Sequence, residues 1–215
     1  MKNVIEPLTT PPASDELKLR LDTVRAMMVA EELDYYVAAH TDNVYYLTNF
    51  AYMPFDRPFF LIIPTEGKPC LVVPLLEVSH AEQRMLIEVD YHTYYEYPAP
   101  PGKTVIDTLR KVIGNDKKVG IESSLSITLQ NEIPGHKMVC NLIDKARLIK
   151  TDYEIGRIAY ASKVTAIGMK KARSLAQPGP HIATIYSEST KEMMVTMLFE
   201  IPDVNLLMCK FVAAV

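Results

Sequence analysis

Two apolar runs, residues 59–63 and 70–73, constrain this chain more than any other feature. Each has the length and composition of a strand, and only Pro64 and a turn at residues 66–68 separate them. So short a link can join antiparallel neighbours, but it cannot hold the crossover that a parallel pair needs. Residues 59–73 are therefore predicted to form a β-hairpin. Elsewhere strand-like runs alternate with stretches of helical spacing, as in an α/β domain. A sheet that holds both arrangements is mixed rather than purely parallel, with helices flanking it.

The rest of the chain fits that frame. Residues 1–13 carry Pro7, Pro11 and Pro12 and are expected as an extended arm. Ser14 offers an N-cap, with Asp15 and Glu16 suited to a positive helix end. Leu17, Leu21, Val24 and Met28 recur at helical spacing, which predicts a helix over 15–33. Residues 35–39 read as a strand, and the polar run 40–43 as a loop at its end. Then follow a helix over 75–85, a strand over 87–96 and a rigid proline loop at 98–102. A helix over 103–114 and a strand over 118–122 come next, then a short helix and a strand ending near Cys140.

The character changes near residue 145. Thr151 and Glu154 have capping-box spacing. Ile155, Ile158, Ala159, Ser162, Ala166 and Met169 form the expected inner face of a long helix, which Gly156 and Gly168 should each weaken by about 1 kcal/mol. Pro178, Gly179 and Pro180 end it, a second helix is predicted over 181–199, and residues 205–215 read as a strand. Two helices and one strand cannot bury a core alone. The expected organisation is a first domain over 1–148, with 149–215 opening a second domain within which the chain stops.

Several function classes are not expected. A net charge of −3 gives no basic face for nucleic acid. No stretch is long and apolar enough to span a membrane, and no apolar run follows Met1, Lys2 and Asn3 as in a signal peptide. Cys70, Cys140 and Cys209 are odd in number and lie in apolar runs, which suits reduced core cysteines and a cytoplasmic location. His40, His80, His92, His136 and His181 are scattered, with no pair at ligand spacing; only His40, at a strand end, stands where a site could form. No serine sits in a nucleophile elbow, and no glycine-rich loop could cradle phosphate. Lys145, Arg147 and Lys150 are expected as a solvated junction face. Residues 43–57 are the most aromatic segment, to be read either as plain core or as part of a wall that a ligand touches.

Four pieces of the sequence together resemble the creatinase/prolidase/aminopeptidase P family of pita-bread hydrolases. Asp34 and its strand, followed by Asn43-Val44-Tyr45-Tyr46-Leu47-Thr48-Asn49-Phe50, resemble the first family signature. Val119-Gly120-Ile121-Glu122 is similar to the second. Residues 146–155 resemble the junction into the catalytic domain, and Pro178-Gly179 falls between its first two helices. Asn49 replaces a usual glycine, which puts the turn after Thr48 in question, and Ala159 stands where many relatives have arginine.

The resemblance implies a ribonuclease H-like N-terminal domain followed by the first two helices and first strand of a truncated pita-bread domain. It implies a parent hydrolase that cleaves an Xaa-Pro bond with two divalent ions (Mn, Co or Zn) held by two aspartates, a histidine and two glutamates. This chain has no aspartate pair at the spacing of the first two family ligands, so it is expected to hold no metal and to be inactive alone. Its expected role is that of cap and dimerisation domain in a homodimer whose substrate is a peptide or small molecule. Phe55-Asp56-Arg57 resembles the segment with which the creatinase branch contacts substrate, so Phe55 would shape a pocket and Arg57 would grip a carboxylate. That segment also supports a creatinase-like amidinohydrolase as the parent. A free-standing, non-catalytic binding or dimerisation protein is the alternative outside enzymes.

Overall fold

The computed structural model describes residues 5–52 and 57–201. They fall into two compact units: Pro12–Ile149, and the described parts of Met1–Pro11 and Lys150–Val215. The proline-rich arm thus belongs with the second unit.

In the first unit the strands are β1 (Tyr35–Ala38), β2 (Phe60–Pro64), β3 (Cys70–Pro74), β4 (Asp90–Tyr94), β5 (Lys118–Ile121) and β6 (His136–Val139). They form one sheet in the order β4-β3-β2-β1-β5-β6. The hairpin is present: β2 pairs antiparallel with both β3 and β1. The pairs β3–β4, β1–β5 and β5–β6 are parallel. The helices are α1 (Ser14–Ala30), α2 (Thr41–Thr48), α3 (Val78–Arg84), α4 (Val105–Val112), α5 (Ile127–Glu132) and α6 (Leu142–Ala146), with a 3-10 turn at Leu75–Glu77.

Both faces of the sheet are covered, so the central strands are apolar at every position. Tyr36, Ala38, Leu61, Ile63, Leu71 and Val73 face one cluster, to which α1, α2 and α6 contribute Val24, Met28, Leu47 and Ile143. Val37, Phe60, Ile62, Val72, Val119 and Ile121 face the other, closed by Leu109 of α4 and by Ile133 after α5. This strict alternation is the period-two pleat of strands.

Two local expectations change. Ser14 is the first helical residue rather than the cap; Ala13 precedes it and makes no side-chain capping bond. The polar run 40–43 is no loop: His40 is the N-cap residue of α2 and Asn43 is buried within it. A helix of two turns whose first residues are polar shows no periodicity to read. Asn49, by contrast, preserves the turn it replaces glycine in. It adopts φ 60°, the left-handed conformation asparagine tolerates, and its N–H closes α2 on the Tyr45 carbonyl.

The second unit is a helix pair, α7 (Asp152–Leu175) and α8 (Ile182–Glu200). Thr151 and Glu154 form the reciprocal capping box at the start of α7. The inner face of α7 is not the expected one. Gly156, Tyr160, Val164 and Gly168 are buried, whereas Ile158, Ser162, Ala166 and Met169 are exposed. The two glycines are close-approach points: a Cβ on Gly156 would lie 2.6 Å from Leu8 Cδ1, and one on Gly168 would lie 2.6 Å from Met193 Cγ. The expected face passed over both glycines, the points where neighbouring side chains come closest to the helix. The predicted strand over 205–215 lies outside the described residues. None of the described helices is long and apolar enough to cross a membrane.

Candidate functional site

β1 and β5 run parallel, and the chain leaves both at the same edge. Such carboxyl ends are where open α/β sheets commonly take ligands. Here the position is filled by protein. Glu122, the residue after β5, is 1% exposed. Its Oε2 accepts from the backbone N–H groups of Ala39 (2.9 Å) and His40 (2.8 Å), and Oε1 accepts from Asn43 Nδ2 (2.8 Å). The carboxylate therefore caps the amino end of α2, where N–H groups and the helix dipole favour negative charge. Asn43 also donates to Asp144 Oδ1 at 3.2 Å and accepts from Arg147 Nη1 at 2.9 Å. The Arg147 guanidinium lies 5.7 Å from the Tyr46 ring centroid. Arg147 is thus turned onto Asn43 rather than forming the solvated basic face expected of it.

Asp34 works at the other end of the same pair. Its carboxylate accepts from Lys118 N at 2.8 Å, while its own N–H donates to the Lys118 carbonyl. The Lys118 N–H holds the Asp34 carboxyl below the usual aspartate range. Tyr36 spans the sheet edge, donating to the Cys140 carbonyl at 3.0 Å and accepting from Leu142 N at 3.2 Å. Burial first, and then the charge of Glu122, push the Tyr36 and Tyr52 hydroxyls above the usual tyrosine range. Burial likewise raises the thiols of Cys70 and Cys140. None of the four is poised for acid–base or nucleophilic work near neutral pH.

A second polar cluster surrounds Arg57. Its Nε lies 3.2 Å from Glu96 Oε2, and its Nη1 lies 3.8 Å from Glu77 Oε1. Glu77 Oε2 is shared with His80 Nδ1 at 3.2 Å. The His80 ring sits edge-on to Phe50, centroids 5.3 Å apart, beside the packed rings of Phe50, Tyr52 and Phe59. Tyr46, Phe50 and Tyr52 of the aromatic stretch are therefore core, whereas Tyr45 and Arg57 are half-buried. Phe55 and Asp56 lie outside the described residues. His40 contributes its backbone N–H to Glu122, and His181 is the cap of α8 through Nδ1.

Glu77 and Glu96 were not legible as partners of Arg57, since they lie 20 and 39 residues further along the chain. Glu122 stood in a quoted motif, but no spacing rule could pair it with Asn43. Among the described residues, no group of three His, Cys, Asp or Glu side chains could hold a metal ion. The described residues thus do not fit a metal pair, and no step is derived through one.

The family model of the Creatinase/Prolidase N-terminal domain matches residues 20–152. The chain belongs to this family. Asp34, Asn43, Glu122 and Arg147, the polar residues of the segments that carry the resemblance, tie the two parallel strands and α2 together. The fold is similar to that of the prolidase from Pyrococcus horikoshii OT3, at 20% identity and TM-score 0.67 over 83% of this chain and 49% of that one. It is also similar to the Xaa-Pro dipeptidase from Bacillus anthracis, at 16% and 0.68 over 84% and 49%. A dipeptidase from Mycobacterium ulcerans gives 17% and 0.66 over 87% and 51%. The chain spans about half the length of these structures. No protein of curated function matches it.

Proposed function

We propose that this chain is the cap and dimerisation part of a cytoplasmic, homodimeric metallohydrolase that cleaves Xaa-Pro peptide bonds. The carrying observation is the match of residues 20–152 to the Creatinase/Prolidase N-terminal domain, in a chain whose fold covers about half of the prolidases it resembles. Under this reading the two divalent ions (Mn, Co or Zn) and their ligands belong to a domain that begins with 149–215 and continues beyond residue 215. The chain alone is then inactive, and its own residues bind and shape. Arg57 is the group offered to substrate: its side chain is 36% exposed and always charged, and Phe55 lies two residues before it.

The exposure of Arg57 also favours a second reading, a creatinase-like amidinohydrolase acting on a small carboxylate. One experiment separates these readings from a free-standing binding protein. The source coding sequence is read past the codon for Val215, and its full product is assayed for Xaa-Pro dipeptide and creatine hydrolysis, with and without chelator. Chelator-sensitive dipeptide cleavage is the expected result. Creatine cleavage selects the second reading, and a stop codon after Val215 overturns both.

A further inference from the structure

Arg57 is held in an uneven way. Glu96 engages Nε at 3.2 Å, and the neighbouring Pro58 carbonyl accepts from the Tyr94 hydroxyl at 3.0 Å, so backbone and side chain are both tied to the end of β4. This leaves the outer edge of the guanidinium, Nη1 and Nη2, the edge suited to a two-point grip on a carboxylate. Among the described residues that edge carries one long contact, Nη1 to Glu77 at 3.8 Å, and none at Nη2. Glu77 has a closer neighbour of its own in His80 Nδ1 at 3.2 Å. One carboxylate fixes the cation, and a second rests loosely where a ligand's carboxylate would sit.

We propose that Glu77 is a resident stand-in for the ligand carboxylate: an incoming carboxylate takes the Nη edge of Arg57 and displaces Glu77, which His80 retains. Glu96 is a positioning residue that keeps the edge aimed outward. The proposal deepens the reading of Arg57 as a carboxylate grip and rests on it. It limits the site to ligands that fill both outer N–H groups, so a monoanionic carboxylate binds and its amide does not. Glu77 makes binding a swap of one ion pair for another, which keeps affinity modest and specificity high.

The test is calorimetric titration of the 215-residue chain with glycyl-L-proline and with its C-terminal amide. An ion pair this exposed is worth up to about 1 kcal/mol, so Glu77→Gln should bind the dipeptide about two- to fivefold tighter than wild type. Glu96→Gln removes the same charge but should bind about two- to fivefold weaker, because it frees the guanidinium to turn. The opposite signs separate displacement from a general change in charge. Equal or weaker binding by Glu77→Gln, or tightening by both variants, overturns the proposal. Unchanged binding by Arg57→Ala, or no binding by wild type and Glu77→Gln alike, overturns the carboxylate reading of Arg57 itself.

Discussion

Glu122→Gln tests whether the buried carboxylate after β5 holds the sheet and α2 together. The change preserves shape and replaces one acceptor oxygen by a donor. The three groups within 3 Å of the carboxylate are all N–H donors, Ala39 N and His40 N on one oxygen and Asn43 Nδ2 on the other, while the Ser124 hydroxyl donates from 3.5 Å. Asn43 cannot turn its amide to help, because its oxygen already accepts from Arg147 and its nitrogen also donates to Asp144. A glutamine therefore sets its NH2 against either Asn43 or two backbone N–H groups. The milder orientation loses one charge-assisted bond, worth about 1.5–3 kcal/mol, and turns two others into neutral bonds worth about 0.5–1.5 kcal/mol each. Relief from burying the charge offsets part of this. The net expectation is a loss of about 2–4 kcal/mol. The assay is urea unfolding followed by far-UV circular dichroism. With a slope of about 2 kcal/mol per molar, the midpoint of the sheet unit should fall by about 1–2 M without a change in slope. A fall under about 0.5 M would refute the account of Glu122 as an anion clamped by three donors.

Three further outcomes follow from the same structure. Asp34→Asn should destabilise the sheet unit at neutral pH but not in acid: the Asp34 carboxyl titrates below its usual range when folded, so its contribution is present above that range and is lost as pH falls through the lowered value. Parallel urea curves at neutral and acid pH check this, and a penalty that persists in acid refutes it. Gly120→Ala should cost about 1–3 kcal/mol, since the new methyl would lie 2.7 Å from Leu33 Cδ1 and 2.8 Å from Tyr36 Cδ2; thermal unfolding reads it. Gly156→Ala should speed amide exchange at Leu8, whose N–H donates to the Gly156 carbonyl at 3.0 Å, because the methyl would collide with the Leu8 side chain. Unchanged exchange would mean that the arm is held by other contacts, such as those of its Thr9 and Thr10 carbonyls with Arg157.

The sequence by itself determined the elements that depend on neighbours along the chain. The hairpin at 59–73 was legible because a short turn permits only one pairing. The capping box at Thr151 was legible because cap and carboxylate sit three residues apart. The mixed sheet followed from mixing a hairpin with βα units, and the four family pieces placed the chain in its family. Tertiary structure decided what depends on residues distant in sequence. Strand order is one case, because apolar runs of equal quality do not say which lie side by side. The buried face of α7 is another: Gly156 and Gly168 read as flaws until Leu8 and Met193 occupy the space that a Cβ would fill. The polar contacts are the third. Asn43, Glu122 and Arg147 each read as an isolated motif letter, and Arg57 as a grip for a carboxylate with no sign of Glu77 and Glu96 beside it, because a hydrogen bond needs an approach of about 3 Å that no spacing along the chain encodes.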